Sequence, residues 1–374
     1  MTSIKMVDLL SQYLRIKPEV DHAIQQVIQS TEFIQGGAVR NFEKSLSQYL
    51  DDAQVVSCGN GTDALQIAMM ALNFKPGDEV ILPVHTYVAT AEVLALLGLV
   101  PVFAEVDEQT FTIDVRQIEK LITKRTVAIV PVHLYGQCAD LQPILDVADK
   151  HNLRVIEDAA QSFGANYNFK SGITKKSGTI GTIGTTSFFP SKNLGAFGDG
   201  GALITQDEGL AQKIRMIANH GQRVKYQHDV IGVNSRLDTI QAAILSVKLK
   251  YLDQYAERRR AAADYYDAHL QNVPFLTTPV RASYSTHVFH QYTLRTNGID
   301  RDALKAYLQE KKIPTMIYYP IPLHLQKAYL KSGFGKGSFE VTERLSQSVL
   351  SLPIHTEIEA EQLSYICEVI SQFS

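Results

Sequence analysis

The chain has 374 residues, 45% apolar and 20% charged, with a formal net charge of −3. That composition supplies a large core, and with no Lys/Arg cluster to offset the acidic balance it argues against nucleic acid as the main partner. Three scattered cysteines (Cys58, Cys138 and Cys367) form no CxxC pair and no Cys/His cluster, which speaks against a disulfide framework and against a metal site.

The N-terminal stretch "MTSIKMVDLLSQYLRIKPEV" mixes charges into its apolar positions and lacks a signal-peptide core. The most apolar stretch, Val93–Ala104, contains a proline and falls short of the about 20 residues that span a bilayer. The expectation is a reduced, soluble, cytoplasmic protein with no membrane partner.

Short β-branched runs then follow one another at Gln54–Cys58, Glu79–Val84, Val100–Val106, Ala128–Leu134, Arg154–Glu157, Thr185–Phe189 and Ala202–Thr205. Most are nearly continuous in apolar residues, as strands covered on both faces should be. Helical patterns such as Thr62–Leu72, Ala89–Leu97 and Leu141–His151 separate several of them. This alternation predicts a three-layer α/β domain with a mostly parallel seven-stranded sheet. The Gly-, Thr- and Lys-rich stretch Asn168–Gly184 reads as a surface loop. Lys248–Gln271 reads as one long charged helix, followed by strand candidates at Val288–Arg295 and Thr315–Tyr319. The predicted division is a large domain over residues 1–248 and a smaller α+β domain over 249–374.

In parallel sheets, ligands bind beyond the carboxyl ends of the strands, and four such positions stand out. "SCGNGTDAL" (Ser57–Leu65) ends a strand, turns on glycines and starts a helix, which suits an anion held by free amides. A plain glycine turn with an N-cap threonine is the alternative. Tyr87, in "PVHTYVAT", offers an aromatic face to a planar ligand, or else packs in the core. "VIEDAAQSFGA" ends a strand with two acids, whose side chains alternate between faces. Asp158 is the candidate for the ligand crevice, with Gln161 a donor on the same side. Lys192, in "SFFPSKNLGAFGDGG", sits between an apolar run and flexible glycines. A desolvated lysine amine there could attack a carbonyl. A phosphate cradle, a stacking face, an acid and a lysine are together what pyridoxal 5'-phosphate requires.

The motifs "NGTDAL", "PGDEVILP", "TYVAT", "VIEDAAQSFGA", "SFFPSKNLGAFGDGGA", "GVNSRLDTIQAAIL" and "YYPIPLHLQ" resemble, in order, those of the DegT/DnrJ/EryC1/StrS sugar aminotransferases, fold type I pyridoxal-phosphate enzymes. The resemblance spans about Ile4 to Pro353 and implies an aspartate-aminotransferase-like fold. It implies that Lys192 holds the cofactor covalently and shuttles the proton, that Asp158 pairs with the pyridine nitrogen, and that Gln161 bonds the phenolic oxygen. Tyr87 would stack on the ring, while Gly61, Thr62 and Ser187 would hold the phosphate, joined by Asn234 from the partner subunit of a homodimer. Arg236, Tyr318 and Tyr319 would lie near the nucleotide-linked sugar, also across the dimer interface.

Family dehydratases carry histidine where this chain has Lys192, so transamination from L-glutamate, giving 2-oxoglutarate, is the expected reaction. "NSRLDTIQAA" is similar to members acting on 3-keto rather than 4-keto sugars. "EDAAQSFGA", "HGQ" and "YPIPL" are similar to members that aminate UDP-2-acetamido-2-deoxy-3-oxo-hexuronate, although Tyr318 replaces a histidine. "HVFHQYTLR" (His287–Arg295) is instead similar to enzymes of dTDP-3-keto-6-deoxyhexoses. A non-catalytic sensor or scaffold on this fold would be expected to lose Lys192 or Asp158, and neither is lost. A nicotinamide dehydrogenase would need a GxGxxG fingerprint that "CGNGTD" does not supply.

Overall fold

The computed structural model describes residues 3–373. Two helices, α1 (Leu9–Ser30) and α2 (Gly37–Tyr49), precede β1 (Gln54–Cys58). Helices and strands then alternate through α3 (Gly61–Ala71), β2 (Glu79–Pro83), α4 (Ala89–Leu96), β3 (Val100–Ala104), α5 (Val115–Leu121), β4 (Thr126–Ile129), α6 (Leu141–His151) and β5 (Arg154–Asp158). A hairpin of β6 (Asn166–Asn168) and β7 (Thr174–Lys176) leads to β8 (Ile183–Ser187), β9 (Gly201–Thr205) and α7 (Glu208–Ala218). A second hairpin, β10 (Gln222–Val224) with β11 (Gln227–His228), comes before α8 (Thr239–Leu249) and α9 (Leu252–Leu270). The remaining elements are β12 (Leu276–Thr277), β13 (Tyr292–Thr296), α10 (Arg301–Glu310), α11 (Glu340–Ser348), β14 (Val349–Leu352) and α12 (Ala360–Ser371).

Seven strands form one sheet in the order β1-β9-β8-β5-β4-β2-β3. All neighbours run parallel except β9, which is antiparallel to both β1 and β8. Strand side chains alternate between faces, and here both faces are covered. Val80 and Leu82 pack with Leu65 and Ile67 of α3 and Leu94 of α4. Ile81, between them, packs with Ile118 of α5 and Ile144 of α6 on the other side. Val55 likewise meets Phe42 and Leu46 of α2, while Val56 joins the α3 side. This double burial is why the strands read as continuous apolar runs.

A second, antiparallel sheet of β12, β13 and β14 packs under Tyr266 and Leu270 of α9, Leu304 and Leu308 of α10, and Ile366 and Ile370 of α12. The long helix expected over Lys248–Gln271 is broken at Lys250–Tyr251. No glycine or proline marks that turn, which is why the charge pattern reads straight through it. The break lets Leu252 enter the core cluster of α2 and α8, while residues from Ala262 onward serve the second core.

The expected loop Asn168–Gly184 contains β7 and the start of β8, and Ser177 and Thr179 within it are buried. Small Gly and Thr residues pass for loop in sequence yet fit a crowded interior. The expected strand over Thr315–Tyr319 is reduced to a single bridge between Met316 and Ser351. No described helix is long and apolar enough to cross a membrane.

Candidate active site

The carboxyl ends of β1, β5 and β8 and the turns after β2 and β4 open towards one region. Asp158 ends β5 and is 6% exposed. Its Oδ2 accepts from Thr90 Oγ1 at 2.8 Å and its Oδ1 from the Ala160 amide at 3.2 Å. Lys192 lies in the turn between β8 and β9, and its amide donates to the Phe189 carbonyl at 2.8 Å. Among the described residues its Nζ has no hydrogen-bond partner. Burial pushes the amine down to about 8, with the charge of Asp158 pulling it back up. A lysine in that state carries a substantial neutral fraction near pH 8, the form that attacks a carbonyl.

Gln161 Oε1 accepts from the Tyr135 amide at 2.8 Å, and its Nε2 donates to the Tyr319 hydroxyl at 3.1 Å. Tyr87 is 55% exposed, with its ring 6.0 Å from that of Tyr319. Tyr318 and Tyr319, their rings 5.9 Å apart and joined by a cis peptide bond, pack against the cluster of Phe111, Val132, Leu134 and Tyr135.

The N-terminus of α3 supplies the remaining part. Asn60 caps it, its side chain accepting from the Asp63 amide at 2.8 Å, which leaves the amides of Gly61 and Thr62 facing outward. A Cβ on Gly61 would lie 2.7 Å from Ser187 Cβ, so only glycine lets this helix end close on β8. Gly61, Thr62 and Ser187 therefore share one corner.

Asn234 and Arg236 are not brought to Lys192. Asn234 is exposed and bridges to Asn219, and Arg236 lines a groove of about 760 Å³ with Arg40, Arg215 and Arg223, next to Ser235, whose hydroxyl accepts from the Gly59 amide. The sequence expectation places both, together with Tyr318 and Tyr319, across a dimer interface; the two tyrosines instead stand on this chain's own crevice, with Tyr319 bonded to Gln161.

Glu157, one residue before Asp158, points to the opposite face and is fully buried. His133 Nε2 donates to it at 3.0 Å, and the amides of Gly178, Ile180 and Gly181 donate at 2.9, 2.7 and 2.6 Å. The Ala139 amide donates to His133 Nδ1 at 3.0 Å, so the imidazole carries its proton on Nε2. Burial raises the Glu157 carboxyl, but His133 and these amides outweigh it and hold it below the usual range. Glu157→Ala leaves four donors, two of them buried, without their acceptor and should cost about 3–5 kcal/mol, each unsatisfied buried group costing about 1–3 kcal/mol. Urea unfolding followed by circular dichroism checks this, since the chain has no tryptophan. A midpoint equal to wild type would contradict it.

Burial also keeps His85 and His355 neutral down to about 4 and His287 down to about 3. In the unfolded chain these imidazoles take up protons below about 6.5. The unfolded state therefore binds more protons, and stability falls as pH drops from about 6.5 to 4. Unfolding midpoints measured from pH 7.5 to 5 should decline through that window; a flat profile would refute the assignment.

Sequence reasoning missed Thr90 and Tyr135. Thr90 stands at the end of the motif that drew attention to Tyr87, but its hydroxyl meets Asp158 only because α4 and β5 converge. Tyr135 occupies a left-handed turn after β4, with φ of 59°.

A model of the DegT/DnrJ/EryC1/StrS aminotransferase family matches residues 14–371. A Geobacillus stearothermophilus protein named pleiotropic regulatory protein is 46% identical over 99% of this chain and 98% of its own length. UDP-2-acetamido-2-deoxy-3-oxo-D-glucuronate aminotransferase of Pseudomonas aeruginosa is 44% identical over 98% of this chain and 99% of its own. The crystal structure of DesV from S. venezuelae, in complex with a ketimine intermediate, matches with a TM-score of 0.95 at 39% identity, with 100% of each chain covered. Aminotransferases of the matched family depend on pyridoxal 5'-phosphate. With the family pattern running almost end to end, and Lys192 set within reach of the Asp158 charge, the chain belongs to the DegT/DnrJ/EryC1/StrS family and is a sugar aminotransferase.

Proposed function

We propose that the protein moves an amino group from L-glutamate to C3 of a nucleotide-linked 3-keto sugar, with UDP-2-acetamido-2-deoxy-3-oxo-hexuronate as the acceptor. The observation that carries this reading is a half-buried lysine amine with no hydrogen-bond partner among the described residues, in the field of one buried carboxylate. That pair, with the free amides of α3 beside Ser187, fits pyridoxal 5'-phosphate. When bound, this cofactor supplies an aldehyde for an amine and a ring that takes up the electrons released at the amino-donor carbon.

The chain's own residues do the rest. Lys192 would hold the cofactor and move the proton at the donor carbon. Asp158, fixed by Thr90, would keep the ring nitrogen protonated. Gln161 would turn its amide to the phenolic oxygen, and Tyr87 would cover the ring. The amides of Gly61 and Thr62, with the Ser187 hydroxyl, would hold the phosphate. Tyr318 and Tyr319 face the sugar from residues 249–374, the smaller domain in this proposal, and residues 1–248 form the cofactor domain.

Asn234 and Arg236 act on the partner's site in a homodimer. The exposure of Tyr226 and Ile231, 81% and 86%, supports a contact between copies on that side. Mixing Lys192→Ala with Asn234→Ala chains then gives dimers with one intact site each, and activity should return. No recovery in verified mixed dimers would contradict the shared site.

The 44% identical Pseudomonas relative supports the hexuronate acceptor, and with it a place in surface polysaccharide or glycoconjugate synthesis in the cytoplasm, such as lipopolysaccharide O-antigen. The segment His287–Arg295 favours a second acceptor, a dTDP-3-keto-6-deoxyhexose. A panel of UDP- and dTDP-linked 3- and 4-keto sugars with glutamate separates these, scored by the carbon that gains the amine. Amination at C4, or of none of the panel, would overturn the proposal.

A further inference from the structure

Tyr135 makes no hydrogen bond to Lys192 or Asp158 among the described residues, yet four polar contacts converge on it. The residue is 2% exposed. Its amide donates to Gln161 Oε1 at 2.8 Å, and its carbonyl accepts from the Gln291 amide at 3.1 Å. Its hydroxyl donates to the Tyr318 carbonyl and lies 3.1 Å from His85 Nε2.

The direction of each bond follows from chemistry. A carbonyl can only accept, so the Tyr135 proton is committed to Tyr318. His85 must then supply its own proton from Nε2. Gln161, with its oxygen taken by the Tyr135 amide, has only its NH₂ left for the Tyr319 hydroxyl. Together these bonds tie the Tyr318–Tyr319 backbone to the large sheet and leave the second N–H of Gln161 free to point into the crevice.

The neighbouring turn is equally constrained. Gly136 has φ of +115°, and a Cβ there would lie 2.7 Å from the Phe289 amide nitrogen. The turn therefore seats directly against the segment that leads into β13.

Tyr319 occupies the crevice between the Tyr87 ring, 6.0 Å away, and the Gln161 amide. In the proposed function the bulky nucleotide-linked acceptor meets this wall, whereas the small amino donor does not depend on it.

We propose that Tyr135 is a positioning residue that holds the Tyr318–Tyr319 wall in place, and so sets the affinity for the keto-sugar acceptor rather than the rate of the amino-donor half-reaction. This rests on the proposed aminotransferase function. Tyr135→Phe keeps the ring, which packs 5.2 Å from Phe111, and removes only the hydroxyl.

Two readouts test it. In single-turnover experiments the glutamate half-reaction of Tyr135→Phe should stay within about twofold of wild type, while the KM for the sugar rises about three- to tenfold, the effect of one net hydrogen bond. In the cofactor-free protein, hydrogen exchange of backbone amides over residues 316–321 should be faster in the variant. Equal slowing of both half-reactions, an unchanged sugar KM, or unchanged exchange would overturn the proposal. If wild type reacts with neither glutamate nor any keto sugar, the proposed function itself fails, and the exchange comparison still decides whether Tyr135 holds the wall. Should Tyr135→Phe not fold, His85→Leu removes the donor that orients the hydroxyl and should shift both readouts the same way, by less. No shift in His85→Leu would likewise count against it.

Discussion

Lys192→Ala is expected to reduce amino transfer between glutamate and 2-oxoglutarate by on the order of 10,000-fold or more, while leaving the fold intact. Positioned proton transfer alone contributes roughly 100- to 10,000-fold, and the same amine forms the covalent link. Its removal breaks no hydrogen bond among the described residues. A group whose amine is desolvated enough to fall to about 8 costs the fold rather than supports it. The urea midpoint should therefore hold or rise. Lys192→Arg is the matched control, because it keeps a cation and loses the nucleophile. Exchange within about tenfold of wild type in either variant would remove Lys192 from the chemistry.

Asp158→Asn should bind cofactor and still lose about 100- to 10,000-fold in turnover, the span of a misplaced proton. The substitution keeps the shape of a side chain that is 6% exposed. One oxygen remains to accept from Thr90 or Ala160, so the crevice should survive. The NH₂ that replaces the other oxygen is a donor, and it cannot keep a facing ring nitrogen protonated. Titrating cofactor into the variant and measuring both half-reactions checks this. Near-normal turnover would reject the assigned role, and loss of binding would assign Asp158 to holding rather than to protonation.

Much of this architecture is legible in the chain because the sheet is buried on both faces. Val80, Ile81 and Leu82 each need an apolar neighbour on one side or the other, so the strand declares itself as a run. Lys192 and Asp158 stand out for the same reason: each is a charge set against apolar sequence. The contacts that tune them are not local. Thr90 reaches Asp158 across 68 positions, and Tyr135 reaches Tyr318 across 183. Those distances close only when β2, β4 and β5 are placed side by side. The break between α8 and α9 escapes notice because neither glycine nor proline marks it. The buried hairpin stretch around Ser177 escapes notice because small polar residues resemble a loop.

Glu157 and Asp158 show how closely structure and chemistry are interleaved. One residue apart, they face opposite ways and end in different environments. Glu157 satisfies four donors and stiffens the turn into β8, the strand that delivers Lys192. Asp158 keeps its carboxylate on the crevice side, held by Thr90. The alternation of a single strand is enough to separate a structural acid from a chemical one.

The most direct test of the central claim is to add pyridoxal 5'-phosphate to the purified wild-type chain, reduce with borohydride, digest, and map the modified peptide by mass spectrometry. The expected product is a phosphopyridoxyl group on Lys192 alone, formed only when reduction precedes exposure to glutamate. An unmodified Lys192, or a label distributed over other lysines, would contradict it.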